Sequence, residues 1–209
     1  MKLKYELQNI ISGVGKGSKG SLIESAAHQL GKSKKASGDA KTTEFTKQQE
    51  TAQLLEWVKE SNLWVTCIEE NRFIARGYEQ RVYLAEDVRF VIKLNDLVFY
   101  EYWLDYFRNL LIHNFLFPQT AYELIGFCLE QEKLYAVVKQ PFIEVTEPTE
   151  LEHVKDFLFS NGFQLKKNND YFNNEVGIIL EDLHDENVVT NNGTLFFIDC
   201  FLPDAFIFH

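Results

Sequence analysis

Apolar positions over residues 43–61 recur at helical spacing, with Phe45, Ala52, Leu55 and Val58 near one face, and predict a helix. Ser21-Leu22-Ile23-Glu24-Ser25-Ala26-Ala27 predicts the start of a shorter one, with Ser21 as N-cap and Glu24 three residues on. From about residue 63 the pattern changes. Leu63-Trp64-Val65-Thr66-Cys67-Ile68, Arg72-Phe73-Ile74-Ala75, Gln80-Arg81-Val82-Tyr83-Leu84 and Phe90-Val91-Ile92-Lys93-Leu94 are short and rich in β-branched and aromatic residues, which predicts strands. Asn71, Gly77 and Glu86-Asp87 punctuate them. A helix dense with aromatics is predicted over 96–115. Two strands follow, at 121–129 and 133–140, around the polar turn Glu130-Gln131-Glu132. Residues 147–161 read as a helix opening with Glu147-Pro148-Thr149-Glu150. Gly177-Ile178-Ile179-Leu180, Val188-Val189 and Thr194-Leu195-Phe196-Phe197-Ile198 read as short strands. The order strands, helix, strands, helix, strands predicts an α+β fold. Residues 12–20 and 31–42 are rich in Gly, Ser and Lys and read as linkers. No internal repeat is visible.

Composition narrows the class. The 209 residues, 45% hydrophobic with 18 Phe and 9 Tyr, suffice for one sizeable core or two small lobes sharing a cleft. No apolar run approaches the roughly 18 residues of a membrane span. The start, Met1-Lys2-Leu3-Lys4-Tyr5-Glu6, lacks the apolar stretch of a secretory signal. Cys67, Cys128 and Cys200 are odd in number and far apart, which suits reduced thiols rather than disulfides or zinc. A cytoplasmic protein with no membrane partner is the expectation. The net charge of −10 argues against a molecule that coats nucleic acid. Residues 1–41, however, carry eight Lys against three acids. That stretch is expected to be a solvated arm; docking onto nucleic acid or an acidic protein face is the alternative.

Three segments carry chemistry in this order. The first is Gly77-Tyr78-Glu79-Gln80-Arg81-Val82-Tyr83 with Val91-Ile92-Lys93 behind it. The second is Asp182-Leu183-His184-Asp185-Glu186-Asn187, and the third Phe197-Ile198-Asp199. Phosphoryl transfer needs a turn over the phosphates, a lysine on them, hard-oxygen ligands for Mg²⁺ and a carboxylate at the attacking hydroxyl. Lys93 ends a strand expected to pair back onto the turn. The Asp-x-x-x-x-Asn loop supplies a base and a metal ligand. Asp199 follows Asn187 by 12 residues, behind the hairpin turn Asn191-Asn192-Gly193, which is expected to bring the two together. Gly31-Lys32-Ser33 and Gly13-Val14-Gly15-Lys16 superficially match P-loop endings. Ala26 stands at the first glycine of one, and the other lacks Ser or Thr after its lysine.

These segments resemble the protein-kinase-like superfamily, most closely the kinase domains of polyvalent proteins from phages and conjugative elements. The resemblance covers roughly residues 74–201, and Asp-Leu-His-x-x-Asn is similar to wording in small-molecule kinases such as aminoglycoside phosphotransferases. It implies a two-lobed fold with a reduced C-lobe: an extension over 1–62, an N-lobe over 63–145 and a C-lobe over 146–209. It implies a phosphotransferase using ATP and Mg²⁺ on a hydroxyl of a protein or small molecule. By match, Lys93 is the phosphate-binding lysine, Asp182 the catalytic-loop aspartate, and Asn187 and Asp199 the metal ligands. Gly77, Val82 and Lys93 are implied to contact the cofactor, and Gln140 and Phe142 fall in the segment expected to contact adenine. Glu101 is the acid expected to pair with Lys93; Asp105, one turn away, and a solvent-facing position for both are the alternatives. His184 is expected to hold its loop, and His113 to pack or cap. The sequence also departs from the pattern: the turn has one glycine, Leu180-Glu181 precede Asp182, Cys200-Phe201 follow Asp199, and ten residues remain after it. A pseudokinase that docks a partner, and a nucleic-acid-associated accessory factor using the basic arm, are the rival expectations. The helices near 21–30 and 43–61 are expected to pack under the C-lobe.

Overall fold

A computed structural model describes residues 2–12, 21–36, 47–66, 70–76 and 80–200. The expected phosphate-turn glycine Gly77, together with Phe45 and Cys67, lies outside the described residues. The chain is α+β with antiparallel sheets, as its pattern of periods predicts.

Three helices open the chain: α1 (Lys2–Ser12), α2 (Leu22–Ala36) and α3 (Lys47–Glu60). Ser21 Oγ accepts the Glu24 N–H at 3.2 Å, so α2 begins at the expected cap. A five-stranded sheet follows, built from β1 (Phe73–Arg76), β2 (Gln80–Leu84), β3 (Phe90–Asn95), β4 (Glu123–Glu130) and β5 (Lys133–Pro141) in the order β1-β2-β3-β5-β4. Over the described residues 63–66, the expected strand at 63–68 is one bridge, Trp64 to Phe127. It lies so close to β4 that a Cβ on Gly126 would stand 2.5 Å from the Leu63 carbonyl oxygen, and Gly126 also has φ +152°, which only glycine adopts freely.

Between β3 and β4 runs α4 (Trp103–Leu116). Its start is later than the helical pattern predicts. Asn95 Oδ1 accepts the Leu97 N–H at 2.8 Å and Asp96 Oδ1 the Val98 N–H at 3.1 Å, and these local turns hold 95–98 out of the helix. Glu101, expected on the helix, therefore precedes it and is exposed.

The C-terminal part holds α5 (Leu151–Ser160), a sheet of β6 (Gln164–Lys167), β7 (Asp170–Asn173) and β8 (Ile178–Leu180), and a hairpin of β9 (Val188–Asn191) and β10 (Thr194–Phe197). Sequence periodicity did not reveal β6 and β7, because all four residues of β6 are exposed and two are lysines. The expected helix at 147–161 starts at Leu151. Glu147 is bridged to Thr190, and its Oε1 accepts the Gly193 N–H at 2.5 Å, so the chain before α5 belongs to the hairpin instead.

Core packing corrects one expectation. Ile23, Ala26 and Leu30 of α2 and Leu54 and Val58 of α3 are buried against Trp103, Phe107 and Phe127, that is, on α4 and the large sheet. They do not sit under the C-terminal part. α1 reaches that part: Leu7 is buried with Ile112, Leu158, Tyr171 and Leu180. The basic stretch 1–41 is thus not simply a solvated arm, since both of its helices bury apolar faces. α4 faces both cores, with Phe107 in one and Ile112 in the other.

Candidate active site

Strand alternation places Lys93. Its neighbours Ile92 and Leu94 join Tyr83, Cys128 and Val137 on one face of the sheet, so Lys93 projects from the other. It is buried, and its Nζ lies 3.7 Å from Asp199 Oδ2. The same Nζ donates to the Ile198 carbonyl at 3.1 Å and to the Tyr122 hydroxyl at 3.3 Å. Tyr122 in turn donates to the Ile198 carbonyl at 2.8 Å, and Gln140 Nε2 donates to it at 2.9 Å. Three donors, from β3, β5 and the residue before β4, thus converge on the carbonyl immediately before Asp199. Burial raises the Tyr122 phenol far above its ordinary pKa, the Asp199 charge adding to the effect, so its O–H remains a donor.

The β9–β10 hairpin brings the 182–187 loop beside this point. Its turn, Asn192-Gly193, has φ of 47° and 74°, the handedness of a tight two-residue turn. The Asn187 carbonyl accepts the N–H of Ile198 at 2.9 Å and of Asp199 at 3.2 Å, which sets Asn187 and Asp199 side by side. Asn187 Nδ2 donates to the Asp182 carbonyl at 2.8 Å and to Asp182 Oδ2 at 3.2 Å, which turns the amide nitrogen toward Asp182. His184 completes the loop. Its Nδ1 accepts the Glu186 N–H at 3.2 Å, and its Nε2 lies 3.3 Å from Asp182 Oδ1 and 3.2 Å from Asn187 Nδ2. The Asp182 carboxylate is exposed, with Oδ2 accepting from Asn187 and Oδ1 near His184.

Three residues expected at the cofactor are placed as follows. Gln140 is buried, and its amide donates to the Ile198 and Thr120 carbonyls, so its side chain supports the carbonyl before Asp199. Phe142 is exposed, and its N–H bonds the Arg89 carbonyl at 2.9 Å. Asp199 is an acid beside Lys93 among the described residues, whereas Glu101 precedes α4 and is exposed. Asp105 lies 3.6 Å from Arg108 on its own helix. Val82 is the register partner of Lys93 across β2 and β3.

Sequence reasoning missed Gln80, whose Nε2 donates to Asp199 Oδ2, and Tyr122. Gln80 falls in the turn-and-strand segment already singled out, but an amide there has no motif. Tyr122 had no flag at all. Behind the cleft, His113 Nε2 faces the Thr120 carbonyl at 3.2 Å and Nδ1 faces Cys200 Sγ at 3.3 Å. A carbonyl only accepts, so Nε2 is protonated and Nδ1 takes the thiol hydrogen. Burial lowers the His113 pKa to about 4 and pushes the Cys200 thiol up, so both groups are neutral.

Two oxygen-bearing side chains, Asn187 and Asp199, are thus available to a hard cation beside one buried ammonium. Among the described residues no three or more His, Cys, Asp or Glu side chains gather into a metal cluster. Two protein ligands suit Mg²⁺, which takes most of its coordination from phosphate and water.

Residues 47–203 match the family model described as Serine/Threonine/Tyrosine Kinase found in polyvalent proteins. No curated protein and no solved structure matches.

Proposed function

Because this chain belongs to the Serine/Threonine/Tyrosine kinases found in polyvalent proteins, a match covering residues 47–203, we propose that it moves the γ-phosphoryl group of Mg-ATP to a hydroxyl of a protein or small molecule. One observation carries the reading: Lys93 lies beside Asp199, about a hundred residues on in sequence, and Asn187 pairs with Asp199 while sharing a loop with Asp182. The proposed cleft lies between two lobes, one built on the five-stranded sheet with α4 and the other on the two small sheets with α5. Lys93 would neutralise phosphate charge, and its burial strengthens that attraction relative to water. Asn187 and Asp199 would hold Mg²⁺, which when bound offsets charge on the transferring phosphoryl group. The exposed Asp182 carboxylate, whose Oδ2 accepts from Asn187, would orient the acceptor hydroxyl and take its proton. Buried free thiols at Cys128 and Cys200 suit a reducing compartment, and we place the activity in the cytoplasm.

Calorimetric titration with ATP, with and without Mg²⁺, tests the site. Wild type should bind in a Mg-dependent way and Asp199→Ala should not. Asp182→Asn should keep nucleotide affinity and lose turnover by roughly 10²- to 10⁴-fold. Equal, small effects of the two changes would count against the assigned roles. A nucleotide-binding module without turnover is the second reading. It is favoured by the Gln80 amide, which engages Asp199 Oδ2, an atom a metal would use. Tight Mg-ATP binding with no turnover in wild type would select it.

A further inference from the structure

The β6–β7 hairpin touches the catalytic loop at two consecutive backbone groups. Asp170 Oδ1 accepts the Asp182 N–H at 3.1 Å, and the Asn169 carbonyl accepts the Leu183 N–H at 3.2 Å. Both acceptors come from one tight turn. Asn168 and Asn169 have φ of 45° and 63°, and Lys167 pairs with Asp170 across them. That is the geometry of a two-residue turn whose central residues are both left-handed, for which Asn is well suited. The hairpin is anchored behind the turn: Tyr171 is buried in the C-terminal core and pairs with Leu180, two residues before Asp182.

Asp182 has φ +63°, a left-handed conformation that few residues other than Gly, Asn and Asp adopt. Its direction is kept by its surroundings. Its Oδ2 accepts from Asn187, His184 Nε2 lies 3.3 Å from its Oδ1, and its amide donates to Asp170. Asp170 is the one of these three that stands outside the loop, on β7.

We infer that Asp170 is a positioning residue for phosphoryl transfer: through the Asp182 amide it fixes the backbone from which the Asp182 carboxylate is aimed at the acceptor hydroxyl. This rests on the reading of Asp182 proposed above. Asp170 touches no reacting atom, so its effect falls on turnover and not on nucleotide binding.

The test uses the full chain, with turnover read as ATP hydrolysis, ATP affinity by calorimetry and hydrogen exchange at the Asp182 amide by NMR. Asp170→Ala should lower kcat roughly 10- to 100-fold, leave ATP affinity unchanged and speed exchange at that amide. Asp170→Asn keeps an acceptor oxygen and should restore most of both. Lys166→Ala, an exposed neighbour on the same hairpin, should behave as wild type. If Asp170→Ala does not fold, Asp170→Glu, which shifts the carboxylate by one methylene, carries the same expectation. Wild-type kcat in the folded Asp170 variants, with turnover lost in Asp182→Asn, overturns the positioning role alone. Undiminished turnover in Asp182→Asn, or none in wild type, overturns the reading beneath it.

Discussion

His113 is a buried histidine whose proton affinity the fold changes. Its pKa falls from 6.5 to about 4, chiefly because burial disfavours the imidazolium. The unfolded chain therefore binds a proton over a range where the fold does not. The contribution to stability is complete above about pH 6.5 and is lost as pH falls toward 4, at about 1.4 kcal/mol per unit. Urea denaturation at pH 7 and pH 5 should show wild type losing about 2 kcal/mol to this group, and His113→Gln should remove that part of the loss. An unchanged pH slope in the variant would mean that His113 is not the group responsible. At this scale the sequence was informative where chemistry is local. Lys93, Asp182, Asn187 and Asp199 stood out by residue type and spacing. Tyr122 and the inward turn of Gln140 did not, because their use depends on a carbonyl that lies 76 and 58 residues away in sequence.

Among the elements, α4 depends most on its neighbours. Its N-cap, Tyr102, makes no side-chain capping bond. The cap comes from another helix: buried Glu50 of α3 accepts the Leu104 N–H at 3.1 Å. A carboxylate at a helix N-terminus satisfies an orphan donor and faces the positive end of the dipole. Thr51 accepts the Trp103 indole N–H at 2.9 Å, and Lys47 Nζ donates to the Tyr100 and Leu97 carbonyls. α3 thus holds the start of α4 along one side. Glu50→Ala should cost about 1–3 kcal/mol, measured by chemical denaturation, because Leu104 loses its acceptor in a dry site. Glu50→Gln, which retains an acceptor oxygen, should cost less. No periodicity argument reaches such a cap: Glu50 lies on a helix whose pattern assigned it no role, and its partner is 54 residues on.

For the molecule as a whole, α1 has a role that its composition conceals. It lies in the lysine-rich stretch, yet Leu7 is fully buried in the C-terminal core. Leu7→Ala should destabilise by about 2–5 kcal/mol through lost transfer energy and the cavity left behind, read from urea denaturation with circular dichroism. A change below about 0.5 kcal/mol, the range of surface substitutions, would mean that the helix is not docked in solution. No described helix is long and apolar enough to cross a membrane.

Residue-level chemistry decided much of the chain in advance. Short runs rich in β-branched and aromatic residues specified β2, β3, β4 and β5 to within a few residues, because such side chains fit the pleated, partly buried surface of a sheet. Asn192-Gly193 specified the β9–β10 turn, because few other pairs tolerate two left-handed residues. The tertiary structure alone decided where the helices pack, which acid stands beside Lys93, and that β6–β7 exists. Helix faces carry no address: an apolar stripe says that something covers it, not what. Turns at Asn95 and Asp96 hold residues 95–98 out of α4, a competition between side-chain and helical hydrogen bonds that spacing does not reveal. The polar, exposed β6 carries no periodic hydrophobic signal. It exists because β7 pairs with β8 and supplies the edge on which it forms.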